Sequence, residues 1–282
     1  MLAGSQNSLL RRKCQGPDSV VSLKTEDLMI KPSLVDAVKV AGSDDYEYLR
    51  NFVHPLPGWL IDYAAIRILD LLNWQERNAI LGPLFEIGVY HGRSLALLLR
   101  SALRAKERVV ALDTFQFVPL ETVKKGVAPI ADPESIVWLQ TSSSLCSSRQ
   151  LLQILGADPR FISIDGSHEC DDVFWDLRLA EDMLAQRGIV AVDDFMNMVA
   201  MGVNVGVHRF FATPRNLAPF AYTSNKLFLC RPQLGPSYRH AFEQMVVADQ
   251  IEPISANFRQ TSTVNRGLVD QILWGKSLVV VP

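Results

Sequence analysis

From Trp59 to Arg231 of this 282-residue chain, amphipathic stretches alternate with short apolar runs. WLIDYAAIRILDLLNWQ sets Leu60, Ala64, Ile68 and Leu71 at three- and four-residue steps, which predicts a helix. LFEIGV then predicts a strand ending in glycine, and SLALLLRSALRA the helix after it. RVVALD is a second strand, closed by an acid. IVWLQT is a third, followed by serines and a helical LCSSRQLLQILG. RFISID is a fourth, and DDVFWDLRLAEDMLAQRG is its helix, with Gly188 as the expected C-terminal stop. GIVAVDD is a fifth strand. PFAYT and KLFLCR, joined through SNK, read as an antiparallel pair. Strand–helix alternation of this kind builds a parallel sheet covered by helices on both faces. Beyond Pro232 the pattern predicts a helix near YRHAFEQMVVADQ and a terminal strand in SLVVVP.

The division that follows is an extension or lid over 1–55, a core over 56–232 and a C-terminal extension over 233–282. Composition changes this picture little: 48% hydrophobic and 21% charged residues are ordinary for a globular chain. A net charge of −2 gives no field that favours nucleic acid. No run approaches the ~20 apolar residues that span a bilayer, and MLAGSQNSLLRRKCQG lacks the apolar centre of a secretory signal. Cys14, Cys146, Cys170 and Cys230 are scattered without metal spacing, so reduced thiols in a cytoplasmic protein are expected. A homo-oligomer is the general expectation for such a chain, dimers being the commonest assembly.

Candidate chemistry clusters at the strand ends. Glu86-Ile-Gly88-Val-Tyr90-His-Gly92-Arg-Ser94 lies between a strand and a helix. Its glycines suit a tight turn that a ligand can approach, yet it is not the G-x-G-x-x-G of dinucleotide folds, which disfavours a nicotinamide dehydrogenase. The acid two residues before the first glycine suits a ligand with a cationic end, such as S-adenosylmethionine. Asp113, with Thr114 beside it, ends the second strand where a carboxylate can accept bonds from ribose hydroxyls. Ser143 and Ser144 follow the third strand, where the adenine edge would lie. A purely structural turn and a capping aspartate are the plain alternatives for the first two.

Asp165-Gly-Ser-His168 ends the fourth strand and Asp193-Asp194 the fifth, with Asn197 just beyond as a weaker outer candidate. Adjacent parallel strands would crowd Asp165, Asp193 and Asp194, and like charges so placed repel unless a cation joins them. Oxygen ligands favour Mg²⁺, Mn²⁺ or Ca²⁺ over zinc. Such an ion would acidify and orient a hydroxyl, and His168 could take its proton. The competing reading makes the acids helix caps and loop decoration. His91 is expected to border the glycine loop and His208 to lie on a helix surface, while Phe115, Phe117, Phe210 and Phe211 read as core. VKKGVAPIADPES, rich in breakers, reads as a lid or a structural loop.

FEIGVYHGRS, ALDTF, FISIDGSHECDDVFWDLRLAEDMLAQRGIVAVDDF and PFAYTSNKLFLC together resemble the class I, Rossmann-like methyltransferases with a D-G-x-H…D-D pattern. That group includes metal-dependent enzymes methylating sugar hydroxyls of macrolides and is more distantly similar to catechol O-methyltransferase. The resemblance covers about positions 56 to 231. It implies a mostly parallel seven-stranded α/β sheet with an antiparallel terminal hairpin, S-adenosylmethionine as methyl donor, Mg²⁺, and a small hydroxylated acceptor. By position, Glu86, Gly88 and Gly92 would line the methionine end and Asp113 the ribose. Asp165, Asp193 and Asp194 would hold the metal, and His168 would be the base. Tyr90, Ser94, Thr114, Ser143, Ser144 and Asp165 complete the expected cofactor lining. A metal-free methyltransferase using His168 alone, and a non-catalytic binding or sensing protein of the same fold, remain as alternatives.

Overall fold

The structure, a computed structural model, describes residues 42–282, so most of the segment read as an N-terminal extension, with Cys14, lies outside the described residues. The strands are β1 Leu84–Ile87, β2 Val109–Asp113, β3 Val137–Gln140, β4 Phe161–Ile164, β5 Ile189–Val192, β6 Ala218–Thr223, β7 Lys226–Cys230, β8 Asp270–Leu273 and β9 Lys276–Val281. They form one sheet in the order β3-β2-β1-β4-β5-β7-β6-β9-β8. The first five run parallel, and β7 returns antiparallel between β5 and β6. The sheet therefore has nine strands among the described residues, not seven. The extra pair follows Pro232: β9 lies parallel to β6, and β8 folds back on β9. Its turn is Trp274-Gly275, both at positive φ, and Trp274 is stacked on Phe211 at 4.2 Å.

The helices are α1 Ser43–Tyr48, α2 Asp62–Arg77, α3 Leu95–Ala105, α4 Leu120–Val127, α5 Ser148–Leu155, α6 Cys170–Met183, α7 Met201–Phe210, α8 Gly235–Ala248 and α9 Pro253–Val264. Side chains alternate across a strand, so β1 sends Leu84 and Glu86 to one face and Phe85 and Ile87 to the other. Leu84 joins an apolar layer with α2, α3 and α8, and Phe85 and Ile87 join one with α5, α6 and α7. Arg160, just before β4, is fully buried and ties α2 and the end of α3 to the sheet. It bonds Glu107, Gln75 Oε1 at 2.9 Å and Ser101 Oγ at 2.8 Å. Leaving such a buried guanidinium unpaired costs about 3–5 kcal/mol.

Three local expectations are corrected. Helix α6 stops at Met183, not at Gly188, because Leu184 turns extended and Ala185 donates its N–H to the Pro159 carbonyl. A Cβ at Gly188 would stand 2.6 Å from Leu184 Cδ1, so the buried Leu184 side chain would have to move to admit one. The segment read as a lid begins inside α4, whose buried Val123 and Val127 pack on Gly92. Phe117 is 81% exposed and does not belong to the core, unlike Phe115 and Phe210.

Candidate active site at the carboxyl edge of the sheet

Chain order reverses between β1 and β4, and ligands of open α/β sheets bind at such a switch point, outside the carboxyl strand ends. Register makes those ends level. Ile87 is opposite both Leu112 and Ile164, and Ile164 is opposite Val192. The next residues, Gly88, Asp113, Asp165 and Asp193, therefore stand in one row. Across the antiparallel pair Leu227 faces Val192, which brings Lys226 level with Asp193.

Gly88 has φ +84, and a Cβ on it would lie 1.9 Å from the Asp165 carbonyl oxygen and 2.6 Å from Gly166 Cα. Close backbone approach between the β1 and β4 ends thus demands glycine there, before any ligand is considered. Gly92, at φ +83, would press on Val127 Cγ1 at 2.9 Å. Asp113 organises the same loop. Its Oδ2 accepts the Val89 and Tyr90 N–H groups at 2.7 and 3.0 Å, and its Oδ1 accepts the Phe115 N–H at 2.7 Å. The Thr114 hydroxyl stands 3.5 Å from that Oδ1. Tyr90, held at φ 50, stacks on the exposed Trp59, and His91 meets its ring edge-on.

Glu86 is fully buried, and its carboxyl has at most the Ser94 hydroxyl for a partner. Burial pushes its pKa well above the usual carboxylate range and the charge of Asp165 adds to this, while Ser94 and Lys226 oppose it. A buried carboxyl with so little pairing beside a glycine loop suits a ligand that brings a cation. The residues fit the ammonium end of S-adenosylmethionine in this respect.

At the next strand ends, Asp165, His168 and Asp194 each offer one ligand atom within 4.8 Å of the others. His168 Nε2 is 3.0 Å from Asp194 Oδ2, and Asp194 Oδ1 accepts the Asn197 and Asn225 amides at 2.6 and 2.8 Å. A cleft of about 10 Å³ between Asp165, His168, Asp193 and Asp194 is the size of a single water or ion. The donor set thus fits a hard divalent ion, with one difference from the sequence reading. Asp193 is not one of the trio: its carboxylate meets the Lys226 ammonium and shares a hydrogen bond with the Asp165 carboxyl. Lys226 and Asn225 were not foreseen; both come from the β6–β7 hairpin. Lys226 holds Asp193 below its usual pKa against the effect of burial, whereas burial and Asp193 drive Asp165 well above its own. His208 lies exposed on α7, 3.3 Å from the Trp274 indole nitrogen and outside this group.

Around the acids the rim is apolar, with Met196, Met198, Val199 and Met201 all more than 60% exposed. Such a concentration marks a contact surface more often than ordinary solvent-facing surface.

Known proteins share this framework. Residues 85–195, from β1 to just past the Asp193-Asp194 pair, match the family model of a methyltransferase domain. That stretch is a methyltransferase domain. The O-methyltransferase from Bacillus cereus in complex with SAH is similar in fold at a TM-score of 0.50. It is 17% identical over 70% of this chain and 94% of its own. The O-methyltransferase NovP, 20% identical, is covered over 97% of its length and 73% of this chain at a TM-score of 0.48. For the O-methyltransferase TomG from Streptomyces achromogenes, involved in tomaymycin synthesis and solved with SAM, the values are 16%, 97%, 73% and 0.45. No curated protein matches the sequence. Among the described residues, no helix is long and apolar enough to cross a membrane.

In the methyltransferase domain the serines after β3 are held from α6. Trp175 Nε1 donates to the Ser143 carbonyl at 2.9 Å, and the next residue, Asp176, meets the Ser143 hydroxyl. Ser144, exposed, bonds the Ser142 hydroxyl at 2.7 Å. Asp176 is 1% exposed, and burial pushes it up to about 7, Ser143 opposing and Asp172 adding. A carboxyl raised on folding contributes stability that is complete below its unfolded value and lost as pH rises through about 7. Asp176→Asn is therefore expected to exceed the wild type in stability by ~2 kcal/mol at about pH 8, the gap shrinking towards about pH 5. Urea unfolding at the two pH values measures this; equal gaps would exclude Asp176 as the titrating group.

Proposed function

We propose that the protein is an S-adenosylmethionine-dependent O-methyltransferase, with divalent-ion assistance, acting on a hydroxyl of a small polyhydroxylated acceptor such as a sugar or a glycosylated natural product. One juxtaposition carries this reading: the Asp165–His168–Asp194 group stands one strand from the buried Glu86. A site for a cationic cofactor end and a site that can deprotonate a hydroxyl would then share one sheet edge. S-adenosylmethionine, when bound, supplies an electrophilic methyl group, and a divalent ion supplies charge that acidifies a hydroxyl.

In this reading Glu86 and the loop from Gly88 to Ser94 receive the methionine end. Asp113 fixes that loop and faces the ribose, while Ser143 and Ser144 border the adenine. His168 takes the acceptor's proton at Nδ1, and Asp194, 3.0 Å from Nε2, accepts the other ring N–H and orients the imidazole. Asp165 and Asp194 would hold the ion. The apolar rim suits an acceptor whose hydroxyls are carried on an apolar body. A balanced net charge supports a small-molecule acceptor over nucleic acid, and thiols at Cys146, Cys170 and Cys230 without a disulfide suit a cytoplasmic place. The metal-free reading has its own support, since Lys226 already supplies a cation and His168–Asp194 is already a base pair.

Calorimetric titration with S-adenosylhomocysteine tests the cofactor half. Micromolar binding, about −8 kcal/mol, is expected, with Asp113→Ala at least about tenfold weaker. Absence of binding, with Mg²⁺ or with chelator, would remove the proposal.

A further inference from the structure

Lys226 is 2% exposed, and an ammonium so deeply buried requires charged partners. Its Nζ contacts Asp193 and lies 3.9 Å from Asp165 Oδ2. Two features fix it there. Antiparallel pairing sets Leu227 opposite Val192. The preceding turn, Ser224-Asn225, has φ of 46° and 59°, and Asn225 fastens it to the β5 loop through both its backbone and its side chain. The Asn225 carbonyl accepts the Phe195 N–H at 3.0 Å, and the Asn225 amide donates to Asp194 Oδ1 at 2.8 Å. The hairpin thus delivers a cation to one acid of the adjacent pair and a neutral amide to the other.

We propose that Lys226 is a positioning residue that withdraws Asp193 from ion binding and confines a divalent cation to Asp165 and Asp194, beside His168. The inference rests on the reading above that an ion binds at this edge, and it divides two acids that sequence alone makes equivalent. Asp193 is opposed by a fixed ammonium that competes with any ion for its carboxylate. Asp194 carries no such contact; its Oδ1 takes two amides and its Oδ2 faces the imidazole. The same ammonium, 3.9 Å from Asp165, repels a cation approaching that acid and weakens the site as a whole.

The test is Mn²⁺ binding to the full chain, followed by electron paramagnetic resonance without cofactor or acceptor, so that its result is separate from the S-adenosylhomocysteine titration. Lys226→Met is expected to tighten Mn²⁺ at least about tenfold, because Asp193 is freed and a like charge removed. Asp194→Asn is expected to weaken it by a similar factor. The double variant Lys226→Met/Asp193→Asn removes the ion pair as a unit and should return to within about threefold of the wild type. Unchanged or weaker binding in folded Lys226→Met overturns the proposal, as does a double variant as poor as Asp194→Asn, or no Mn²⁺ binding to any form. Where circular dichroism shows that the single variant does not fold, the double variant decides alone by the same two criteria.

Discussion

Gly88→Ala is expected to destabilise the protein by about 4 kcal/mol or more and to abolish S-adenosylhomocysteine binding. The first part follows from two independent facts. Residue 88 sits at φ +84, where an L side chain is strained by about 1–2 kcal/mol. The added Cβ would also fall 1.9 Å from the Asp165 carbonyl oxygen and 2.4 Å from its carbonyl carbon. Those atoms are backbone, held by the Asp165 N–H bond to the Ile87 carbonyl and the Asp193 N–H bond to Ile164, so no rotamer change relieves the contact. The β1 and β4 ends must separate, and with them Glu86 and Asp165. Urea unfolding and calorimetry measure the two effects. A variant within about 1 kcal/mol of the wild type would show that the two strand ends yield easily. Gly92→Ala should be milder, because its Cβ would meet the movable Val127 side chain at 2.9 Å.

That contrast shows how far the sequence could be read. Alternation of apolar runs and helical stretches located β1 to β7 and the helices between them other than α4, since burial on both sheet faces imposes that pattern. Acids at the ends of β2, β4 and β5 were legible for the same reason: a strand that stops at the sheet edge exposes its last residue to the ligand side. Contacts made through register were not legible. Lys226 stands beside Asp193 only because β7 inserts antiparallel next to β5, and a lysine opening an apolar strand reads as an ordinary surface cation. Asn225 was hidden in a turn where asparagine is expected for its backbone conformation alone. β8 escaped because its turn is Trp274-Gly275 rather than Asn-Gly, the tryptophan being held at φ 50 by stacking on Phe211. Likewise Gly202 reads as a weak helix residue, yet a Cβ there would lie 2.1 Å from the His168 carbonyl oxygen. It is the close seat of α7 on the His168 loop.

His168→Ala is expected to lower turnover by about 10²- to 10⁴-fold on any hydroxylated acceptor that the wild type methylates, with S-adenosylhomocysteine affinity changed by less than about twofold. The asymmetry comes from placement. His168 is half exposed, one strand beyond the glycine loop, and its Nε2 partner is Asp194 rather than any group that meets the cofactor loop. Asp194→Asn keeps the shape but replaces the carboxylate that accepts from His168 Nε2 and so orients the ring, so a loss of similar order is expected. Following product formation with and without chelator separates the two mechanisms left open by the geometry. If the ion activates the hydroxyl, chelator should depress the wild type about as far as Asp194→Asn does and leave the variant little further to fall. If His168 works with Asp194 alone, chelator should leave the wild type unchanged while both variants stay slow. Full turnover in His168→Ala would exclude both, because no other histidine of the described residues lies within that cluster.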